Sequence, residues 1–162
     1  MSDIQKPEMT WEIKTFGELS TNELHDLLKT RVDVFVVEQE CAYPEIDGKD
    51  PLCIHVLGKN SSGKTLATAR IAPAGVIYGE VSIGRVAIDK SLRGTGVGKI
   101  VMEQAMTFCI EELNAKTIKI AAQLYLKKFY SGFGFTQISD VYLWDGIEHI
   151  DMRFPKKIGN RQ

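Results

Sequence analysis

The chain has 162 residues, with 20 basic and 21 acidic side chains for a net charge of −1, and it is 44% hydrophobic and 25% charged. This length predicts a single domain spanning the chain, with a core from about Trp11 to Phe154, and the composition excludes a mainly disordered protein. The balanced charge excludes a general attraction to nucleic acid or anionic lipid, and the short basic tail (Lys156, Lys157, Arg161) does not change that.

No apolar run approaches the roughly 18 residues needed to span a bilayer. The segment Met1 to Thr10 mixes Asp3, Lys6 and Glu8 and lacks the apolar stretch of a signal peptide, so a cytoplasmic protein is expected. The cysteines Cys41, Cys53 and Cys109 are odd in number and without paired spacing, and read as buried small hydrophobes.

Trp11 to Phe16 alternates apolar and polar residues and predicts a first strand. Ser20 and Glu23 make a Ser-x-x-Glu capping box. The helix it opens carries Leu24, Leu27, Leu28 and Val32 on one face, and helical structure is expected to continue to Gln39 despite the β-branched run from Val32 to Val37. Ala42 to Pro51, with Pro44, Asp47, Gly48 and Asp50, reads as a loop. Cys53 to Lys59 and Thr65 to Ala72 predict two strands joined by Asn60-Ser61-Ser62-Gly63. Glu80 to Ile88 predicts a strongly apolar central strand.

A helix is expected from Gly96, with Val97, Val101, Ala105, Phe108 and Cys109 inward and Lys99, Glu103, Thr107 and Glu111 outward. Thr117 to Ala121 reads as a strand and Leu124 to Ser131 as a short helix stopped by Gly132 and Gly134. Phe135 to Trp144 and Ile147 to Phe154 form a hairpin around Asp145-Gly146. The order β-α-βββ-α-β-α-ββ predicts an α/β fold (an α+β mixed sheet) whose central sheet has helices on both faces.

The most informative segment is Arg93-Gly94-Thr95-Gly96-Val97-Gly98, between the apolar strand and the amphipathic helix. Glycines let backbone approach a bulky anion closely and supply φ values that other residues resist. The helix start adds unpaired N–H groups and the positive end of the dipole, and Arg93 adds a planar donor suited to phosphate. Two glycines so spaced after one of the six arginines arise by chance about 3% of the time. A bare strand-to-helix turn remains the alternative. A P-loop is absent, and the dinucleotide fingerprint belongs early in a βαβ unit, whereas this turn follows hairpin-linked strands.

Arg-x-x-Gly-x-Gly after a central strand, within this element order, resembles the GNAT superfamily of acyl-CoA-dependent N-acyltransferases. Phe129-Tyr130-Ser131-Gly132-Phe133-Gly134-Phe135 is similar to that family's Tyr-x-x-x-Gly-Phe. Arg31-Val32-Asp33-Val34-Phe35-Val36-Val37-Glu38-Gln39-x-Cys41-x-Tyr43, then Asp47-x-x-Asp50, resembles the ElaA-type subgroup, as does Ile83-Gly84-Arg85-Val86. The resemblance implies direct attack of an amine on the thioester of acetyl-CoA. It implies that Arg93, Gly94, Thr95, Gly96, Val97 and Gly98 hold the pyrophosphate, and that Val86, Ala87 and Ile88 offer backbone to the oxyanion and the pantetheine arm. Gln123 takes the place of an asparagine that faces the coenzyme in many members.

Tyr130 is the expected general acid, since a phenol stays protonated at neutral pH and can protonate a departing thiolate. Tyr125 reads as packing. For the base, Glu38, Asp47, Asp50, Glu80 and His55 all qualify, with Glu38 carried forward as the catalytic carboxylate. A histidine inside a hydrophobic strand, as His55 is, more often serves the core.

Arg31, Phe35, Glu38 and Gln39 share one helical side and read as an acceptor mouth. They read equally as core (Phe35) and an ion network (Arg31, Glu38). Arg85 is expected either at an acidic substrate group or paired with Asp47 or Asp50. His25, His55 and His149 lack metal-ligand spacing, so no metal is expected. A Cys41 acyl-enzyme lacks a poised histidine, which favours direct transfer. The alternatives are a non-catalytic acyl-CoA sensor and an acyl-homoserine-lactone synthase. A homodimer through a sheet edge is left open.

Overall fold

The computed structural model describes residues 6–155, so Lys156, Lys157 and Arg161 lie outside the described residues. Strand β1 (Thr10–Thr15) leads into α1 (Thr21–Val32), which continues as a π-helical turn over Asp33–Glu38. Strands β2 (Ile54–Lys59), β3 (Thr65–Ala72) and β4 (Ser82–Ile88) follow, then α2 (Val97–Glu111), β5 (Ile118–Gln123) and α3 (Lys127–Ser131). The chain closes with β6 (Thr136–Gln137), β7 (Tyr142–Trp144) and β8 (Ile147–Phe154). The described strands form one mixed sheet in the order β1-β2-β3-β4-β5-β8-β6, with β7 also paired to β8.

Local chemistry explains most boundaries. The capping box forms as expected: the Glu23 N–H donates to Ser20 Oγ at 3.1 Å and the Ser20 N–H to Glu23 Oε1 at 2.8 Å. Asn60 Oδ1 accepts from the N–H groups of Ser62 and Lys64, and Gly63 takes φ +82°, which closes the β2–β3 hairpin.

Two expectations change. The strand expected over Phe135 to Trp144 is broken into β6 and β7. There Ser139 Oγ accepts the Asp151 N–H at 2.8 Å, replacing a ladder bond with a side-chain bond. The buried stripe of α1 is Glu23, Leu27, Thr30 and Arg31 rather than the leucine face alone. Polar side chains go inside because their charges are met there.

The sheet is covered on both faces. Val97, Val101, Met102, Ala105 and Cys109 of α2 pack on Val56, Ala69, Ile71, Ile83, Ile118 and Ile120. On the other face α1 sets Leu27 and Arg31 over the side of β2 and β3 that carries His55 and Arg70.

Two irregularities in the middle of the sheet position everything that follows. In β4, Thr68 pairs with Ala87 but Arg70 pairs with Gly84, so Ala69 faces both Arg85 and Val86. This is a β-bulge, and Arg85 sits in it at φ +50°, a costly conformation for a side chain with a Cβ. The parallel pair β4–β5 is registered only at Ser82 and Lys119, after which the two strands part.

Candidate active site

The parting of β4 and β5 opens a cleft of about 490 Å³. Val86 and Ile88 line one wall, Tyr125, Leu126, Phe129 and Tyr130 the other, and Gly98 and Arg93 lie at one end. Ala87 sits between these strand residues but turns its methyl into the interior, at 1% exposure, so only its backbone is available to the cleft. Where β4 runs out, the chain turns through Gly94 at φ +76° and Gly96 at φ +87° into α2, whose N-cap Gly96 makes no side-chain cap. A Cβ on either glycine would meet nothing within 4 Å. Their requirement is therefore the left-handed backbone, and the space in front of the uncapped N–H groups is open. Val97 contributes its N–H while its side chain is core, and Thr95 donates its hydroxyl to the Leu92 carbonyl.

Arg93 does not stand free. It holds Glu38 in a fork, Nη1 to Oε2 at 2.7 Å and Nη2 to Oε1 at 2.9 Å, and also donates to the Ile88 carbonyl at 3.3 Å. Those hydrogen bonds raise the guanidinium pKa further.

Tyr130 lies in α3 and is 8% exposed, edge-on to Phe129 and Phe135. Burial pushes its phenol up to about 12.

A second pocket, of about 130 Å³, adjoins the cleft. Aromatic and aliphatic side chains dominate it: Phe35, Tyr43, Ile77, Tyr78, Ile83 and Trp144. Arg85, Asp145 and His149 add polarity. Gln39 lines both cavities. Its amide exchanges two hydrogen bonds with that of Gln123, at 2.9 and 3.1 Å, so the amide pair stands where the cavities meet.

Behind the pocket, the loop between the π turn and β2 is tied to α1 and the sheet by three arginines and three carboxylates. Arg31 holds Glu45 at 2.7 and 2.9 Å and Asp50 at 2.7 Å. Arg70 holds Asp47 at 2.8 and 2.9 Å and Asp50 at 3.2 Å. Arg85 reaches the Glu45 carboxylate at 3.2 Å and its carbonyl at 3.1 Å. Burial alone would push the Asp47 and Asp50 carboxyls up, but hydrogen bonds from Arg70 to Asp47 and from Arg31 to Asp50 hold both below the ordinary range.

This geometry corrects the expected acceptor mouth. Phe35, Gln39 and Arg85 line the second pocket, but Arg31 is 1% exposed and fully engaged by Glu45 and Asp50, so it touches neither cavity. Glu38 lies on the cleft with Arg93 and does not line the second pocket.

The other candidate bases line neither cavity. Glu80 is held by Arg153 at 2.6 and 2.9 Å and by Thr117, while Asp47 and Asp50 belong to the arginine network. His55 is 1% exposed, with Nε2 on the Asp50 carbonyl, and burial lowers its pKa.

Sequence reasoning missed Tyr78, Trp144, Asp145 and above all His149. The signal was present in β8, where Ile147, His149, Asp151 and Arg153 alternate on one face. Extending the register from the Asp145-Gly146 turn would have carried His149 to the pocket side.

A mixed sheet split between β4 and β5, with the split running to an uncapped glycine turn at the start of a helix, defines an acyltransferase architecture. The acetyltransferase (GNAT) domain model matches residues 30–156, and the chain belongs to that family. ElaA of Escherichia coli is 39% identical over 144 residues, covering 88% of this chain and 94% of that protein. A UPF0039 protein of Schizosaccharomyces pombe is 42% identical over 141 residues, covering 86% of this chain and 93% of that protein. Among solved structures, an acyl-CoA N-acyltransferase from Pseudomonas aeruginosa superposes with a TM-score of 0.85 at 36% identity, over 90% of this chain and 99% of that one. The E. coli ElaA crystal structure superposes at 0.84 and 37% identity, with the same coverage. No helix of the described residues is long and apolar enough to cross a membrane.

Proposed function

We propose that this acyltransferase moves an acetyl group from acetyl-CoA to a primary amine by direct attack in a ternary complex. The observation that carries the reading is the parting of β4 and β5 after a single registered pair, which leaves strand edge facing a cleft that ends at the uncapped start of α2. A pantetheine arm suits the free edge of β4 as an added strand would. A pyrophosphate suits the glycine turn, where the open space, the uncapped N–H groups of Gly96, Val97 and Gly98, and Arg93 converge. Thus the residues present fit the donor.

In this reading the thioester lies at the Gln39–Gln123 junction. Backbone N–H groups of the bulged segment around Val86 stabilise the oxyanion, an effect worth about 3 kcal/mol for one preorganised donor. Tyr130, kept neutral by burial, protonates the departing sulfur. The amine enters from the second pocket past Phe35, Gln39 and Arg85. At about 130 Å³ that pocket lies below the roughly 300 Å³ at which drug-sized ligand sites begin, which supports a compact amine over the S-adenosyl donor of a lactone synthase. Three free cysteines agree with a reducing compartment such as the cytoplasm.

Calorimetric titration with acetyl-CoA tests the reading, with Gly96→Glu as control. The expected outcome is micromolar binding by the wild type and about 100-fold weaker binding by the variant. The variant adds a carboxylate at the anion site and a side chain at φ +87°. A folded wild type that does not bind acetyl-CoA removes the donor site and with it the function.

A further inference from the structure

We propose that His149 is the general base that takes the proton from the attacking amine. The inference rests on the acyl-transfer reading and supplies the group that reading lacks, since Glu38 does not line the second pocket and Asp47, Asp50, Glu80 and His55 line neither cavity.

Three observations carry it. First, the ring is fixed in one tautomer. His149 Nδ1 lies 2.8 Å from the Ile147 carbonyl, which can only accept, so Nδ1 carries the hydrogen and Nε2 of the neutral ring keeps its lone pair. Second, the ring is held by its neighbours. It stacks on Tyr142 (centroids 6.0 Å apart, 21° between planes) and leans on Trp144 at 5.5 Å, with Tyr142 paired to His149 in the β7–β8 register. Third, it lines the second pocket, and its strand partner bonds the side chain that both cavities share. His149 lines the amine pocket, and its registered partner on β5 is Gln123, whose amide pairs with Gln39 where the pocket meets the cleft. Cross-strand partners place their Cβ atoms about 5 Å apart on one face.

The charged groups around it are Asp151 on its own strand, Lys119 of β5 at 3.6 Å from that carboxylate, Asp145 in the turn, and Arg85 of β4 on the pocket wall.

The step balances. The amine nitrogen bonds to the carbonyl carbon and gives its surplus proton to His149 Nε2. The C–S bond then breaks with its electron pair going to sulfur, and the Tyr130 hydroxyl protonates the thiolate. The imidazolium proton returns to the phenolate through solvent, leaving an amide, a free thiol and the starting enzyme.

Phenethylamine, a compact amine with an aromatic body suited to the Phe35, Tyr43 and Trp144 walls, serves as the acceptor probe. Thiol release from acetyl-CoA is measured against pH for the wild type, His149→Gln and His149→Ala, with acetyl-CoA binding measured alongside. Both variants are expected to bind acetyl-CoA like the wild type, to turn over about 100-fold more slowly, and to lose the wild type's fall in rate on acidification. Added imidazole restores part of the rate of His149→Ala, whose cavity admits it, but not of His149→Gln. A His149→Gln enzyme that keeps the wild-type rate and pH profile overturns the proposal.

Should a variant fail to bind acetyl-CoA, or the wild type not turn over phenethylamine, the ring-nitrogen NMR resonances of His149 in the wild type decide. An unprotonated Nε2 at neutral pH whose signal moves on adding the amine upholds the proposal, and a hydrogen fixed on Nε2 overturns it. A wild type that does not bind acetyl-CoA overturns the acyl-transfer reading itself, and is told apart because the failure precedes any change at His149.

Discussion

Tyr130 is the residue on which enzyme and sensor part. The residue lines the cleft with its ring packed between Phe129 and Phe135, and its hydroxyl has no hydrogen-bond partner among the described residues. Removing that oxygen leaves no buried partner unsatisfied, so Tyr130→Phe is expected to unfold at a denaturant midpoint close to that of the wild type. In steady-state kinetics its turnover falls about 100-fold while the KM for acetyl-CoA barely moves; a sensor has no rate to lose. Tyr130 was legible in the sequence because its motif is local. For Arg31 and Glu38 an ion network was one of two equal readings, but their partners were not legible, because they arrive from the fold: Glu45 and Asp50 through a long loop, Arg93 from the start of α2. Helical spacing would put Arg31, Phe35, Glu38 and Gln39 on one side, but with the π turn they reach an ion network, a pocket, a cleft and both cavities respectively.

Among the elements, α1 ties one helix end to two strands through a single carboxylate. Glu23 accepts from the Ser20 N–H, from Lys14 of β1 at 2.9 Å and from Lys59 of β2 at 2.5 Å. Burial alone would push its carboxyl up; the hydrogen bonds from Lys59, Ser20 and Lys14 outweigh it and hold the group at about 2, against 4.5 for an ordinary glutamate. A depressed native pKa stabilises the fold fully above the unfolded value and loses that contribution as pH falls from about 4.5 toward 2. Urea unfolding of Glu23→Gln is expected to show a deficit of up to about 3 kcal/mol at neutral pH that shrinks steadily on acidification through that window. An equal deficit at both ends would mean that packing, not charge, holds the helix.

The capping box itself was readable from Ser20 and Glu23, but its two lysines were not, since nothing in a strand pattern announces which edge a helix will meet. In the same way the apolar run of β4 marked a central strand, while the bulge at Arg85 and the parting from β5 depend on a register that only the assembled sheet defines.

For the molecule as a whole, one registered pair joins β4 to β5, while α2 spans the break on one face. A ligand in the gap therefore bonds to both parts of the sheet and binds only when they are in place. If acetyl-CoA is the donor, at about 100 times its Kd it is expected to add about 2.7 kcal/mol to stability, a rise in Tm of roughly 5–10 °C for a chain of this size. Thermal unfolding with and without acetyl-CoA checks this, and amide exchange is expected to slow most along Val86 to Ile88 and Gly96 to Gly98. An unchanged Tm under those conditions would place the ligand outside the gap.

The fork between Arg93 and Glu38 sets an internal rival against any incoming anion. Free phosphate or sulfate must dislodge a carboxylate that is tethered a bond's length away, and gains nothing along the strand edge in return. A nucleotide thioester makes the same exchange but adds contacts over the length of the cleft, so the selection falls on reach rather than charge. A partly exposed ion pair of this kind is weak, so the guanidinium is expected to yield to a ligand that also fills the cleft.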